Sequence, residues 1–297
     1  MQNGPWRRFD DFIAPGADRR AILAALFDEY RLAASEEVVA GNRHIFLGPG
    51  PEKPGLGATR FPLGGTILVA HYDRAPGSPG ANDNSAAVFL LVETALKLYA
   101  SDRKNWLIIF TDKEELGPGG SIREQGSYTL AVSLREAGLG SGSFYIFDAC
   151  GVGDWIIIST MADYMIREET GVGAAEIRKR TRALRGRALN ITRKLNIEKV
   201  LLAPAPFSDD LGFLRAGITA QAITVLPAPE ANRLASELRN HPGFTDSLIK
   251  GEARRDAFTA LLPETWKILN TPADEKSRLT PEYFRQMIRF AAALTGG

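Results

Sequence analysis

Short apolar runs between helical segments constrain the fold of this chain more than any other sequence feature. Each run is bounded by glycine, proline, aspartate or asparagine, and most are continuous rather than alternating, as in strands covered on both faces. The runs occupy residues 65–70, 106–110, 144–147, 155–159, 199–202 and 218–225. Because strands that alternate with helices form mostly parallel sheets, we predict a three-layer α/β/α fold with a mixed, mostly parallel β-sheet flanked by helices.

Helical periodicity fills the segments between the runs. In residues 84–100 the apolar positions form one stripe, which consists of Val88, Leu91, Val92, Ala95 and Leu98. We predict that the first helix begins at Asp18 and the last at Thr280, since threonine is a favourable N-cap and Pro281 suits the first helical position. Residues 227–263 have weaker patterning, and we interpret them either as an excursion over the sheet edge, where lids are often found, or as an ordinary helix–loop pair.

The composition favours a single soluble domain over residues 1–297. Hydrophobic residues make up 44% of the chain, which is enough to bury one large core. The net charge of +1 gives no global attraction to nucleic acid or acidic membranes. The apolar runs fall far short of the roughly 20 residues that span a bilayer. Cys150 is the single cysteine and no apolar segment follows the N-terminal arginine pair, so we expect a cytoplasmic protein.

Three of the apolar runs end in residue types that bind metal ions. The first run continues into His71 and Asp73, the second into Glu114 and Glu115, and the third into Asp148. Functional residues of such folds gather at the carboxyl ends of the strands, so we expect these side chains to meet. Asp73 is a candidate to orient the His71 ring through its second nitrogen, although a His-x-Asp at a strand end is structural about as often as functional.

Two further segments have a functional and a structural interpretation. Asp83 lies in a polar turn that leads into a helix, and on this segment alone a helix N-cap is favoured over a carboxylate that bridges two metals. In the Glu114–Glu115 pair, one glutamate could coordinate a cation while the other takes a proton from water. Such pairs are common on solvated helices, but this pair directly follows an apolar run. Cys150 is interpreted as a buried inert thiol rather than a soft ligand.

In this order and spacing, the segments resemble metallopeptidase family 28, the co-catalytic zinc aminopeptidases. That family also holds carboxypeptidase-like and glutaminyl-cyclase-like members. Residues 207–213 with 216–218 resemble its Ser-Asp-His segment, and residues 269–274 resemble its His-Thr-Pro-x-Asp segment. The other matching segments are residues 70–73, residues 80–86, Glu114-Glu115 with Gly120-Ser121, and Asp148.

The resemblance implies a zinc-exopeptidase-like fold and a role for each matching residue. His71 and Asp148 would hold one zinc ion, Asp83 would bridge to a second, and Glu115 would hold that second ion. Glu114 would act as the general base, taking a proton from the attacking water and passing it to the leaving amine. Together the ions would polarise the scissile carbonyl. Asp73 is grouped with Glu114 among the catalytic residues.

The sequence departs from the family pattern at two histidines. Asn270 stands at the last metal ligand, and Asp210 replaces the histidine of the Ser-Asp-His segment. A neutral amide oxygen is a poor zinc ligand beside imidazole, so we expect a weakened or empty second metal site. Hydrolysis with a single metal ion held by His71, Asp83 and Asp148 remains an alternative, because a catalytic zinc site needs three protein ligands and one free coordination position. His241 is a disfavoured replacement ligand, and His44 is interpreted as a structural residue in an early strand.

Three functions remain after these observations. The first is a metal-dependent aminopeptidase that cleaves N-terminal residues from short peptides. The second is another amide hydrolase or a glutaminyl-cyclase-like transferase. The third is an inactive relative that binds a ligand, which the missing histidine favours and the intact Glu114–Glu115 pair opposes. The basic run at 176–199 is either an anion-binding surface or, more commonly, a solvated helix face. We expect a small peptide or amide substrate and no nucleic-acid partner, and the sequence leaves the oligomeric state open.

Overall fold

The computed structural model contains an eight-stranded mixed sheet between helices. Its described residues are 4–50, 52–56, 64–117, 119–167, 172–250 and 257–296. The strands are β1 (Ala34–Val39), β2 (Asn42–Leu47), β3 (Thr66–His71), β4 (Trp106–Thr111), β5 (Ser143–Phe147), β6 (Trp155–Ser159), β7 (Val200–Ala203) and β8 (Ala220–Leu226). All six predicted runs therefore form strands, shifted by at most two residues at either end.

The sheet has the strand order β1-β2-β4-β3-β5-β8-β6-β7. Strands β4, β3, β5 and β8 are mutually parallel neighbours, whereas β1–β2, β2–β4 and β6–β8 are antiparallel pairs. The predicted α/β fold with a mixed, mostly parallel sheet is confirmed. Its parallel centre brings the carboxyl ends of β3, β4 and β5 to one edge.

Eleven α-helices lie among the described residues. They are α1 (Phe9–Ile13), α2 (Arg19–Glu29), α3 (Ala87–Ala100), α4 (Gly126–Glu136), α5 (Met161–Arg167), α6 (Val172–Lys194), α7 (Asp209–Arg215), α8 (Ala228–Asn240), α9 (Pro242–Ile249), α10 (Glu264–Ile268) and α11 (Phe284–Leu294). Short 3₁₀ turns occupy Gly4–Arg8, Ile122–Glu124, Thr259–Leu261, Lys276–Arg278 and Pro281–Tyr283. The segment Ala81–Ala86 forms helical turns that are interrupted by a kink at Asp83 and Asn84. None of these helices is both long and apolar enough to cross a membrane.

Alternate residues of the central strands enter two separate cores. Leu68 and Ala70 pack with α3 and α11 on one face of the sheet, whereas Ile67 and Val69 pack with α4 and α7 on the other. Because both faces are covered, every residue of β3 is buried, which is why the run is continuously apolar. All five residues of the predicted α3 stripe are fully buried as well.

Both predicted chain-end helices need correction. Asp18 does cap α2, since its Oδ1 accepts a hydrogen bond from Ala21 N at 2.9 Å, but α2 is not the first helix. The 3₁₀ turn Gly4–Arg8 and α1 precede it, and their aromatic side chains pack on α3, with Phe12 and Phe89 ring centroids 5.3 Å apart. Sparse periodicity in so short a segment concealed these turns.

At the other end, Thr280 does not cap the last helix with its side chain. A 3₁₀ turn, Pro281–Tyr283, separates it from α11. Its hydroxyl instead accepts a hydrogen bond from Gly153 N at 2.7 Å and lies 3.2 Å from Gly151 O. The hydroxyl therefore ties the loop after β5 to the start of the last helix.

The weakly patterned segment and the basic run both form ordinary helices. Residues 227–263 include α8 and α9, and α8 contacts the edge strand β7 and its neighbour β6, while residues 251–256 lie outside the described residues. In α6, several arginine side chains form hydrogen bonds or ion pairs with other parts of the protein. Arg187 Nη2 donates to Leu294 O at 2.6 Å, and Arg185 Nη1 lies 2.6 Å from Asp163 Oδ2. The solvated-face interpretation thus holds for only part of the run.

Candidate metal centre

The sheet register brings the predicted ligand residues level with one another. His71 is the last residue of β3 and pairs with Thr111, the last residue of β4. On the other side Val69 pairs with Ile146, so Asp148 follows β5 at the level of His71. The carboxyl ends of three parallel strands therefore present their side chains at one edge of the sheet, as the sequence predicted.

Two carboxylates face the His71 imidazole. His71 Nε2 lies 3.2 Å from Asp83 Oδ1 and 3.8 Å from Asp148 Oδ1, and the side chain of His71 is 1% exposed. One ligand atom from each residue lies within 4.8 Å of the others. Metal–ligand bonds of about 2.0–2.1 Å in a tetrahedral zinc site place ligand atoms roughly 3.3 Å apart. The three residues therefore fit a divalent ion of that size.

Buried polar atoms at the centre lack hydrogen-bond partners among the described residues. They are the two ring nitrogens of His71, Oε1 of Glu115 and Oδ1 of Asp148. Buried polar atoms are nearly always satisfied in native proteins, and each unsatisfied one needs a physical reason. A cation bound by His71 Nε2 and the two carboxylate oxygens supplies that reason for three of these atoms, whereas His71 Nδ1 faces Asp73. His71, Glu114 and Glu115 form a second group whose ligand atoms also converge.

Asp83 is held at the centre by a network of backbone and amide contacts. It lies at a kink in the segment Ala81–Ala86, where its φ of −110° and ψ of 89° are non-helical. The N-cap of α3 is Ala86, so the N-cap interpretation of Asp83 is wrong. Asp274 accepts hydrogen bonds from Asn82 N at 2.9 Å and Asp83 N at 3.0 Å. The peptide bond between Asp83 and Asn84 is cis, and the Asn84 amide bridges Phe147 O and Ala149 N on either side of Asp148.

Asp73 connects the histidine to the glutamate pair. Its Oδ1 lies 3.4 Å from His71 Nδ1, which is long for a hydrogen bond but close enough for an ion-pair contact. The same carboxylate accepts hydrogen bonds from Glu114 N at 3.1 Å and Glu115 N at 3.0 Å. Burial alone would raise the pKa of Asp73, but His71 and the two amides lower it. Asp73 therefore positions other groups from behind the ring.

The Glu114 side chain is held by a chain of two side-chain hydrogen bonds and has a raised pKa. Gln125 Nε2 donates to Glu114 Oε1 at 3.0 Å, and Ser127 Oγ donates to Gln125 Oε1 at 3.0 Å. Burial raises the pKa of Glu114 well above its ordinary value, and the nearby carboxylates of Glu115 and Asp209 add to this against the opposing effect of His71. Burial also raises the pKa of Glu115, to about 8.

The loop that carries the glutamates depends on a glycine. Lys113 adopts a left-handed conformation with φ of 58°, which turns the chain after β4. Gly126 N donates to Lys113 O at 2.9 Å, and a Cβ on Gly126 would lie 1.8 Å from Asp112 O. The close approach of two backbones therefore sets the position of the Glu114–Glu115 pair.

Two buried carboxylates on α7 surround the centre without a predicted role. Asp209 accepts a hydrogen bond from the Thr111 hydroxyl, and burial raises its pKa to about 6. Asp210, which stands at a family histidine, accepts a hydrogen bond from Ser208 N at 3.0 Å, and burial raises its pKa to about 7. Carboxylates packed this densely favour a nearby cation.

Asn270 and the other two histidines are not part of the two groups of converging ligand atoms among the described residues. Asn270 is exposed, with φ of 64°, and its ligand role stays a prediction. The neighbouring Leu269 lines a cavity of about 20 Å³ beside Asp148. His241 is not in either group of potential ligands among the described residues, and its Nε2 lies 3.2 Å from Glu237 Oε2. His44 is fully buried in β2, where its Nδ1 accepts a hydrogen bond from Asp112 N at 3.3 Å.

Known proteins share this sequence pattern and fold. The family model of peptidase family M28 matches residues 63–293, whereas no curated protein matches the sequence. A glutaminyl cyclase from Porphyromonas gingivalis is similar in structure, with a TM-score of 0.63 at 15% identity over 99% of this chain and 97% of that chain. A glutaminyl cyclase from Tannerella forsythia has a TM-score of 0.61 at 13% identity over 99% and 98%.

A zinc aminopeptidase from Bacillus subtilis is also similar, with a TM-score of 0.54 at 17% identity. The match covers 85% of this chain and 49% of the aminopeptidase, so this chain spans about half the length of that protein. At such identities the structural likeness establishes the fold alone. The family match, however, extends over most of the sequence and includes every predicted ligand residue. The chain therefore belongs to peptidase family M28.

Proposed function

We propose that this protein is a metal-dependent aminopeptidase that releases N-terminal residues from short peptides. The observation that carries the proposal is the convergence of His71, Asp83 and Asp148 beside Glu114. The residues that would hold the metal are these three and Glu115, with Asn270 at the weaker second position. A bound zinc ion supplies a Lewis acid that polarises the scissile carbonyl and acidifies water.

Glu114 is the group that moves the proton. Burial raises the pKa of Glu114, and a carboxylate with a raised pKa is a stronger base toward water and can return the proton to the leaving amine. Gln125 holds one carboxylate oxygen of Glu114, which restricts its rotation. Asp73 accepts a hydrogen bond from the Glu114 backbone amide and contacts the His71 ring, so it fixes the distance between the base Glu114 and the ligand His71.

The cavity beside Asp148 supports a preference for small, uncharged side chains. Apart from Asp148, its walls are mainly apolar and include Ala205, Pro206, Trp266 and Leu269. A volume of about 20 Å³ leaves room for a group of about one methyl. The surrounding carboxylates would attract the ammonium group of a peptide N-terminus, whereas they would repel an acidic side chain.

A glutaminyl-cyclase-like transferase is the second candidate. It is favoured by the near-complete mutual coverage with the P. gingivalis cyclase, in contrast to the half-length coverage of the B. subtilis aminopeptidase. The same ligands and the same base would serve, because the α-amine of an N-terminal glutamine would attack in place of water. The products separate the two functions, since cyclisation releases ammonia and leaves the peptide intact.

The test compares wild type with Glu114→Gln. Zinc-loaded wild type is expected to release the chromogenic amine from alanyl anilide, and Glu114→Gln is expected to lower kcat about 10²–10⁴-fold. Metal content by elemental analysis is measured in both proteins. Glu176→Gln, an exposed change on α6, is the matched control and should leave kcat unchanged.

Three results would redirect the assignment. Full activity in Glu114→Gln would eliminate the proposed base. Ammonia release from glutaminyl peptides without peptide cleavage would select the cyclase function. Bound zinc without turnover of either substrate would mean that the protein binds a ligand and has lost catalysis.

A further inference from the structure

Arg19 is a buried guanidinium with every N–H group engaged. It is the first residue of α2 and is 6% exposed. Arginine has five N–H donors, and five bonds are present. Nε donates to Phe12 O at 3.2 Å, Nη1 to Tyr72 O at 3.1 Å and Asp73 O at 3.0 Å, and Nη2 to Pro79 O at 2.9 Å and Ser85 Oγ at 3.0 Å.

Four of the five acceptors belong to the two loops that carry metal-centre residues, and the fifth, Phe12 O, lies on α1. Tyr72 and Asp73 directly follow His71, whereas Pro79 and Ser85 lie on either side of Asp83. Within the described chain, residues 72–80 form neither helix nor strand, so regular backbone bonding does not fix them. A planar guanidinium holds its donors in a rigid fork, and here one fork joins both loops.

The surroundings are built to admit this side chain. Gly80 has φ of 61°, and a Cβ there would lie 2.6 Å from Asp83 O and 3.1 Å from Arg19 Nη2. The guanidinium also lies 4.7 Å from the centre of the Phe12 ring, which favours a cation.

The charge of Arg19 acts on the same loops. Burial lowers the pKa of Arg19 to about 9, which leaves the group charged at neutral pH. Its positive charge interacts favourably with Asp73, Asp83 and Asp274. It thus stabilises the ionised carboxylates that the centre requires.

We propose that Arg19 is a positioning residue of the metal centre, which fixes the separation of His71 and Asp83 by holding both loops to one guanidinium. Its effect on metal binding rests on the proposed function, whereas its effect on loop geometry does not. Lysine keeps the charge but cannot reproduce the fork, so Arg19→Lys isolates the positioning effect.

The test measures zinc affinity by competition with a chelator. Arg19→Lys is expected to weaken zinc binding about 10–100-fold, as is typical when a group that orients metal ligands is changed. Ser85→Ala removes one acceptor of Arg19 and should weaken zinc binding by a smaller factor. Arg187→Lys is the matched control, because its guanidinium also donates to a backbone carbonyl, Leu294 O, and to the Thr66 hydroxyl, away from the metal ligands.

A second readout needs no metal. In metal-free protein, Arg19→Lys should speed amide hydrogen exchange at Asn82 and Asp83 about tenfold or more relative to β5 amides, while Arg187→Lys should not. If Arg19→Lys does not fold, Ser85→Ala decides by the same two measurements. Wild-type zinc affinity together with unchanged local exchange would overturn the proposal. A wild type that binds no zinc would instead overturn the proposed function, and the exchange comparison would still decide the role of Arg19.

Discussion

Asp274→Asn tests whether a distant loop determines the position of Asp83. The Asp274 carboxylate is fully buried and accepts the Asn82 and Asp83 amides with one oxygen each. Asparagine offers one oxygen and one NH₂ group, so one of the two buried backbone N–H groups would face another donor. A hydrogen bond to a charged acceptor contributes about 1.5–3 kcal/mol, so we expect the free energy of unfolding to fall by at most that amount, because removal of the buried charge offsets part of the loss at pH 8.

The measurement is urea unfolding of metal-free protein in a chelator at pH 8. Burial raises the pKa of Asp274 to about 6, so the group is ionised at this pH and accepts both amides as a carboxylate. Zinc affinity, measured separately, should fall about 10–100-fold because Asp83 loses its support. Asp28→Asn, an exposed change on α2, is the control. An Asp274→Asn protein with the wild-type urea midpoint and zinc affinity would refute this reasoning.

Two further predictions concern the walls of the centre. Burial raises the pKa of Asp210 from 3.8 to about 7, so this group contributes stability that is complete below pH ~4 and lost as pH rises through about 7. In metal-free protein, Asp210→Asn should therefore make the free energy of unfolding less dependent on pH between pH 4 and pH 8. A shift of about three pKa units limits the increase in the free energy of unfolding at pH 8 to about 4 kcal/mol. Urea unfolding that shows the wild-type pH dependence contradicts this. Gly126→Ala should lower the free energy of unfolding by about 1–3 kcal/mol, because its Cβ meets Asp112 O. A wild-type melting temperature would argue against the close approach at Gly126.

Much of the fold could be predicted because burial on both faces leaves a simple sequence signal. The central strands are continuously apolar, so their positions follow from composition alone. Strand β1 was missed for the opposite reason. It is an edge strand whose residues 35–37 are Ser-Glu-Glu, and its exposed side chains resemble a loop. Edge strands are commonly polar because an apolar edge promotes association.

The site could be predicted only where a strand delivers it. His71, Asp148 and the glutamate pair follow buried runs, and the sheet register then brings them together. Arg19 and Asp274 gave no such signal. Their main partners are backbone carbonyls and amides, which every residue possesses, so no particular partner residue type marks the contact.

The two departures from the family pattern both change which atoms are available to bind a metal ion at the centre. By the resemblance, Asn270 replaces a nitrogen donor with a neutral amide oxygen, and Asp210 replaces an imidazole with a buried carboxylate near Asp148. Both changes remove nitrogen, and the second adds negative charge. Imidazole favours zinc, whereas carboxylate and amide oxygens favour harder cations. Among the described residues His71 is the imidazole that both ligand groups share, so zinc selectivity should reside at the position that His71 Nε2 occupies beside Asp83 and Asp148.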